Sequence, residues 1–567
     1  MSVNFVTAHC FEQGSQNNET SGLPFSFQFR RFVTTRSNLL PNNPFAVSNL
    51  EIYDYIIIGS GFGGSVAALR LAGKGYRVAV IEQGKRFSPG DFPKSDWNLK
   101  KFLWLPALGW HGILRCHFFK EVFVLTGTGV GGGSLVYANT LMKPGDEFFD
   151  NPAWLSGIDW KEQLAGHFET AGNMLGATRF PFSDNAEDRI LKEIAVEMGR
   201  ENTFSLVDTA VYYGDREKET DPYFDGAGPL RKGCTGCAGC MTGCRENAKN
   251  TLDKNYLWFA EKLGTMIFPE TKAYKIENTE GIYRVHTKKT GRNGVTGLFE
   301  ARGLIVSAGT TGTLELLLKQ KFYYKTLTNL PDPIGTNVRT NSQSISGLVE
   351  ADRKLNNGVA ITSIFSPEPG SHIEMVKFND LSGAITHIGG FSANHPNPKK
   401  RAGYVIAGTL RHPFRMLKLL FSFRWGKRSI VMLMMQTHDS AMKMELKRGL
   451  FGTRLRFDRN SGKVPAFIPV GQKVLHQYAE KVNGTPLNSL TESLFNMSTT
   501  AHIIGGCPMG KTGSEGAVDG NFRVHGYDNM YVLDSSVIPC NPGVNPSLTI
   551  LALSEYALSK IPQKTAL

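Results

Sequence analysis

The sequence predicts an α/β protein organised around a doubly wound parallel sheet. Three stretches carry that expectation: YDYIIIGSGFGGSVAALRLAGKGYRVAVIE over 53–82, LIVSAGTTGTLELLL over 304–318, and MYVL over 530–533 with the turn and apolar helix that follow it. Each reads as a short apolar strand leading through small residues into a helix, as in a sheet covered on both faces.

In the first stretch, residues 55–58 form a continuously apolar strand. Gly59, Gly61 and Gly64 then give the spacing G-x-G-x-x-G. The first glycine serves the tight turn, the second lets backbone approach a pyrophosphate, and the third packs the helix on the strand. The helix N-terminus attracts the phosphate charge. A second strand over 77–81 ends in Glu82, where an acid hydrogen-bonds ribose hydroxyls and repels a 2′-phosphate. The unit predicts an adenine-dinucleotide site; a plain strand–turn–helix leaves the glycines and the acid unexplained.

The next stretch, TGTGVGGGSLVYANT over 126–140, concentrates glycine around Gly131, Gly132 and Ser134. Ordering so many glycines costs backbone entropy, so such a run marks close backbone approach or unusual dihedrals. Gly309, in the turn of the 304–318 stretch, offers a second contact for a long cofactor. Near the C-terminus, His502 precedes a glycine-rich loop, the MYVL strand runs into Asp534, and the loop NPGVNP leads into an apolar helix at Ser547.

These four segments, in this order, resemble the glucose-methanol-choline family of FAD-dependent alcohol oxidoreductases. GGGSLV and AGTTGTLELL are more similar to its cholesterol oxidase branch than to its sugar oxidase branch. The resemblance spans about residues 51 to 560. It implies a Rossmann-like FAD-binding domain gathered from 51–145, 265–345 and 498–567. Segments 146–264 and 346–497 would then form a substrate domain on a mostly antiparallel sheet with helices. FAD is expected to be non-covalent, because no histidyl attachment is evident near the glycine loop.

The resemblance also implies roles. Alcohol oxidation moves a hydride to the flavin and a proton to a base within hydrogen-bond reach of the hydroxyl. His502 matches the family histidine and titrates in a suitable range. Asn545 matches the second active-site residue; it would orient the alcohol or the histidine, and it also suits a turn before a helix. Asp534 falls where the family contacts the ribityl or diphosphate region. The backbone from Gly543 to Pro546 would lie beneath the flavin pyrimidine, with helix N-terminal amides favouring negative charge on the ring. Asn139 is placed near the isoalloxazine edge. Glu374, in SHIEMVKF, matches a glutamate that shifts a sterol double bond from Δ5 to Δ4; a plain surface glutamate is the other reading.

At 567 residues the chain can hold two or more cores. Hydrophobic content is 41% and mean hydropathy −0.20, and no run of eighteen apolar residues is present. Lys plus Arg is 63 against 50 for Asp plus Glu, a net +13 that favours anionic surfaces such as lipid headgroups or simply solubilises the surface. No nucleic-acid motif accompanies it, so no nucleic-acid partner is expected.

Residues 1–50 are polar without periodicity and lack the apolar core of a signal peptide, which suggests a disordered extension or a strap over the flavin domain. With no export signal, a cytoplasmic location is expected, with peripheral membrane contact a further option. That option rests on RHPFRMLKLLFSFRWGKRSIVMLMM over 411–435, which interleaves apolar and basic residues as interfacial segments do. A core helix followed by a buried strand IVMLMM is the competing reading.

Cys234, Cys237, Cys240 and Cys244 have the spacing C-x2-C-x2-C-x3-C of bacterial ferredoxins. Arg245 stands where those proteins have proline, and no second such run exists. An iron–sulfur cluster and a structural, cysteine-rich loop are both compatible with the run.

The function expected is therefore FAD-dependent oxidation of a hydrophobic alcohol, foremost the 3β-hydroxyl of a sterol. Oxygen or another acceptor would reoxidise the flavin, and Δ5-to-Δ4 isomerisation would follow if Glu374 acts. A long-chain or other primary alcohol dehydrogenase passing electrons to a quinone or carrier, and a catalytically silent, membrane-docking flavoprotein, are the alternatives.

Overall fold

The computed structural model describes residues 52–565 apart from 183–184, 292–293, 422–424 and 450–451. The expectations for residues 1–50 lie outside the described residues.

Two seven-stranded sheets organise the chain. The first runs in the order Met266–Phe268, Val78–Ile81, Tyr53–Ile58, Thr296–Val306, Ile282–Lys289, Thr271–Thr279. Its first four strands are parallel neighbours. The long strand Thr296–Val306 serves both halves of the sheet. Its first half pairs antiparallel with Ile282–Lys289, and its last three residues pair parallel with Met530–Val532. The three motif strands thus meet side by side, through Ile56 opposite Leu304 and Leu304 opposite Met530. All six residues of Tyr53–Ile58 and all four of Val78–Ile81 are buried, as continuous apolar runs require when helices cover both faces. The covering helices include Phe62–Gly73 and Ser547–Ser559, which pack on each other.

The second sheet is antiparallel throughout: Gly389–Phe391, Thr485–Ser489, Ser344–Val349, Ile430–Gln436, Ser371–Val376, Ser363–Phe365, Ser205–Leu206. The α/β class is borne out, with one mixed sheet whose motif strands run parallel and one antiparallel sheet. Strand alternation divides the second sheet's side chains. Ile373, Met375, Met432 and Met434 pack against Ile190, Leu191, Val474 and Leu475 of helices Ala186–Glu197 and Pro469–Lys481. The opposite face carries Ile364, Val376, Val431 and Leu433, and between them His372 and Glu374.

The IVMLMM segment is a central strand of this sheet, as its apolar run suggested. Upstream, 413–421 is helical. Among the described residues, no helix is long and apolar enough to cross a membrane.

Candidate active site

The dinucleotide motif is built by close contact between glycines. Gly59 has φ +102°, and a Cβ there would stand 2.2 Å from the carbonyl oxygen of Ser307. A Cβ on Gly64 would stand 2.0 Å from the carbonyl oxygen of Gly59, so only glycine lets this helix reach the strand. Gly61 differs: a Cβ there meets nothing within 4 Å. The 126–140 loop comes in from the other side, and a Cβ on Gly132 would lie 2.6 Å from the Cα of Gly61. Gly131, at φ +102°, donates its N–H to the Ser60 hydroxyl, and Ser134 donates to the Gly131 carbonyl at 2.7 Å.

Glu82 is buried, accepting from the Ser60 N–H at 3.1 Å, the Ser60 hydroxyl at 2.8 Å and the Gly84 N–H at 2.8 Å. Burial pushes its pKa up against those bonds. Asp534 joins the third motif strand to the 309–319 helix: it accepts from the Gly309 N–H at 2.9 Å and the Thr313 hydroxyl. Its other oxygen accepts from the N–H and hydroxyl of Ser536. Both carboxylates therefore tie turns at the strand ends of the first sheet together.

The reactive end is assembled from both sheets. Asn341, between Thr340 and the strand Ser344–Val349, is its hub. Its amide nitrogen donates to the Val544 carbonyl at 2.6 Å and stands 3.5 Å from Nδ1 of His502. The residue after Val544, Asn545, donates to Oε2 of Glu374 at 3.3 Å. His372, two residues earlier on the same face, lies 3.3 Å from the other oxygen, Oε1. Chain segments near 341, 372, 502 and 545 thus converge, and His502, Asn545 and Glu374 lie in one neighbourhood.

Glu374 is 0% exposed, which removes the surface-glutamate reading. It stands on an apolar face with half-buried Ile364, Val431 and Leu433 beside it, and Ala138 and Met142 pack on the same face. Those two flank Asn139, which is buried at φ +58° with neither side-chain oxygen nor nitrogen hydrogen-bonded.

His502 is held through Nδ1. The Gln343 side chain accepts at Oε1 from the Thr500 hydroxyl at 2.6 Å and from the Ala501 N–H at 3.2 Å. A backbone N–H can only donate, so the Gln343 oxygen faces Ala501 and its NH2 faces His502 Nδ1. Nδ1 accepts, and a neutral ring carries its proton at Nε2. A base would need its lone pair at Nε2; in this arrangement the ring meets an alcohol as a donor. Desolvation, and secondly the nearby His372, hold the His502 pKa down to about 3.

Gln343, Asn341 and His372 escaped the sequence reading. The polar run TNSQ directly before an apolar strand, and a histidine two residues before Glu374, were the signals available.

The residues present fit FAD. Beneath the expected pyrimidine, Gly543 takes φ +67°, Pro546 caps the helix Ser547–Ser559, and the buried Ser547 and Thr549 hydroxyls lack partners. Asn139 and the Asn545 oxygen are likewise unpartnered. Buried polar atoms are normally satisfied, so these unpartnered atoms leave donors and acceptors that a polar cofactor would use.

The four cysteines sit elsewhere. They line a cavity of about 440 Å³ with Lys249, whose ammonium donates to the carbonyls of Cys240 and Leu135. None of the four forms a disulfide. Among the described residues, no group of three or more His, Cys, Asp or Glu side chains is arranged to hold a metal ion.

Comparison with known proteins bears on the family and the fold. A model of an FAD binding domain matches residues 54–90, and two models of GMC oxidoreductases match 230–341 and 401–554. The chain is 39% identical over 531 residues to a cholesterol oxidase of Acinetobacter baumannii, covering 91% of this chain and 95% of the relative. It is 41% identical to a cholesterol oxidase of Mycobacterium tuberculosis (strain ATCC 25618 / H37Rv), covering 90% and 91%. A long-chain-alcohol oxidase of Arabidopsis thaliana is 25% identical, covering 90% and 67%. Among solved structures, pyridoxine 4-oxidase from Mesorbium loti shares the fold with a TM-score of 0.58 at 15% identity, covering 90% of this chain and 99% of that one.

Proposed function

The chain belongs to the GMC oxidoreductase family and is an FAD-dependent oxidoreductase of alcohols, and from that premise we propose that its substrate is a 3β-hydroxysterol and its electron acceptor oxygen. The observation that carries the substrate is the face around Glu374. A single buried carboxylate stands among Ile364, Val376, Val431 and Leu433, a surface suited to a rigid apolar body with one polar end. Cholesterol oxidases at about 40% identity support the same reading.

Bound FAD supplies the hydride acceptor. The protein's part is to hold the alcohol and move its proton. His502 donates from Nε2 to the alcohol oxygen and fixes the carbinol carbon toward the flavin. Glu374 takes the hydroxyl proton, and Asn545 aims its carboxylate. Once the hydroxyl proton has passed from it to solvent, the same carboxylate can take the C4 proton of the Δ5-3-ketone and return it at C6, giving the Δ4-3-ketone. Glu82 and Asp534 rigidify the turns that receive the dinucleotide, and Asn139 offers an unspent amide at the flavin edge.

The domain reading is an FAD domain from 51–145, 265–345 and 498–567 and a substrate domain from 146–264 and 346–497; the helices Trp160–Met174 and Tyr256–Lys262 of the 146–264 segment nevertheless pack on Ser547–Ser559 and Phe62–Gly73 of the FAD side. An iron–sulfur cluster at Cys234, Cys237, Cys240 and Cys244 rests on the spacing alone, and among the described residues no three of these side chains are placed to hold one metal ion. Iron and acid-labile sulfide analysis decides it.

Turnover tests the main reading. Cholesterol should be oxidised with one hydrogen peroxide formed per ketone. Oxidation of long-chain primary alcohols in preference to sterols, or turnover only with a dye acceptor, would overturn it.

A further inference from the structure

We infer that the helix pair Pro398–Arg411 and Pro413–Phe421 docks the enzyme on an anionic lipid bilayer. This rests on the reading of the substrate as a lipid-dissolved alcohol, and it names the surface through which that alcohol is reached.

The two helices have one buried side. Arg401, Val405 and Leu419 are buried, and Met416 and Leu419 pack with Val349, Leu487 and Trp425. The other side carries Ile406, Leu410, Phe414 and Leu417, spaced by four, four and three residues. Ile406 and Leu410 lie one turn apart on the first helix, and Phe414 and Leu417 about one turn apart on the second. Leu410 is 75% and Phe414 85% exposed, and Ile406 and Leu417 are each more than half exposed. Scattered exposed apolar residues need no explanation, but four large ones grouped on one helix pair do.

Charge selects the occupant. Residues 398–421 contain no acid. Arg415 and Lys418 pair with Glu350 at 2.9 and 2.8 Å, which leaves Lys399, Lys400 and Arg411 beside the apolar group. A second copy of this chain laid face to face would set those cations against each other. An anionic bilayer satisfies both features, taking the apolar group below the headgroups and the cations at their level.

Position supports the choice. The Pro398–Arg411 helix packs on the strand Gly389–Phe391 and on the helix Leu490–Phe495. Gly389–Phe391 is the edge strand of the sheet that carries Glu374. Docking therefore lays one edge of the substrate sheet against the membrane that holds the substrate.

The test is cosedimentation of the full chain with sucrose-loaded vesicles that contain no sterol. Phosphatidylcholine alone is compared with phosphatidylcholine plus phosphatidylglycerol. The wild type should bind the anionic vesicles, less so as salt rises. A Leu410→Ser/Phe414→Ser variant should bind at least tenfold more weakly, and Lys399→Ala/Lys400→Ala/Arg411→Ala should lose the preference for anionic lipid. Turnover of a detergent-solubilised alcohol should be unchanged in both variants, which separates docking from the chemistry. No vesicle binding by the wild type, equal binding by the Ser variant, or a dimer that the Ser variant dissolves would overturn the inference.

Discussion

Gln343 donates its side-chain N–H to Nδ1 of His502, and the Ala501 N–H, bonded to the same amide's oxygen, prevents that amide from turning over. One backbone donor thereby fixes a tautomer: the neutral imidazole presents Nε2–H. The pair explains why an amide, rather than a carboxylate, stands behind this histidine, since a carboxylate would accept from Nδ1 and leave Nε2 as a base.

A donor role distinguishes substitutions at His502. His502→Gln keeps an N–H and should lower kcat on the best alcohol by about 10- to 100-fold, while His502→Ala should lower it by about 10³-fold or more. Equal losses would favour a base at this position. Gln343→Glu should reverse the tautomer and shift the pH profile of kcat, with FAD content unchanged.

Glu374→Gln should cost about 10² to 10⁴ in kcat for oxidation, the usual range for a lost proton acceptor. Flavin content should stay at the wild-type level, because Glu374 lies on the antiparallel sheet. If oxidation survives and only the Δ4 product disappears, the carboxylate serves isomerisation alone. Both products are resolved by chromatography.

The glycines of the dinucleotide motif should separate folding from cofactor binding. Gly64→Ala drives a methyl into the Gly59 carbonyl and should destabilise the fold by about 1–3 kcal/mol or prevent folding. Gly61→Ala meets no protein atom within 4 Å, so that variant should fold yet retain less FAD. Thermal melts and the ratio of flavin to protein absorbance check both.

Acid sensitivity should follow His502. Its pKa falls from 6.5 in the unfolded chain to about 3 in the fold. Between those values the unfolded state binds the additional proton, so this contribution is intact above pH 6.5 and is lost as pH falls toward 3. The slope is on the order of 1 kcal/mol per pH unit. Wild-type Tm should drop more steeply between pH 6.5 and 4.5 than that of His502→Gln; parallel curves would contradict the shift.

Much of the nucleotide end was legible because its causes are local. Gly59, Gly61, Gly64 and the buried strands beside them follow from sterics and hydrophobic runs within some thirty residues. The C-terminal motif was legible through resemblance. What escaped is set by long-range pairing. His372 and Glu374 share a face only because strand Ser371–Val376 has a fixed register against Ile430–Gln436. Asn341 and Gln343 gain their meaning from a histidine about 160 residues away. The donor tautomer of His502 was illegible for the same reason: it is fixed by Ala501 acting through Gln343.

The most direct measurement is the anaerobic absorption spectrum of the purified holoenzyme before and after stoichiometric cholesterol. The flavin bands should bleach in the wild type, return on admitting air with peroxide formed, and bleach far more slowly in His502→Ala. Bands that a sterol leaves oxidised while a long-chain primary alcohol bleaches them would contradict the sterol assignment, and bands that neither alcohol reduces would contradict alcohol oxidation at this site.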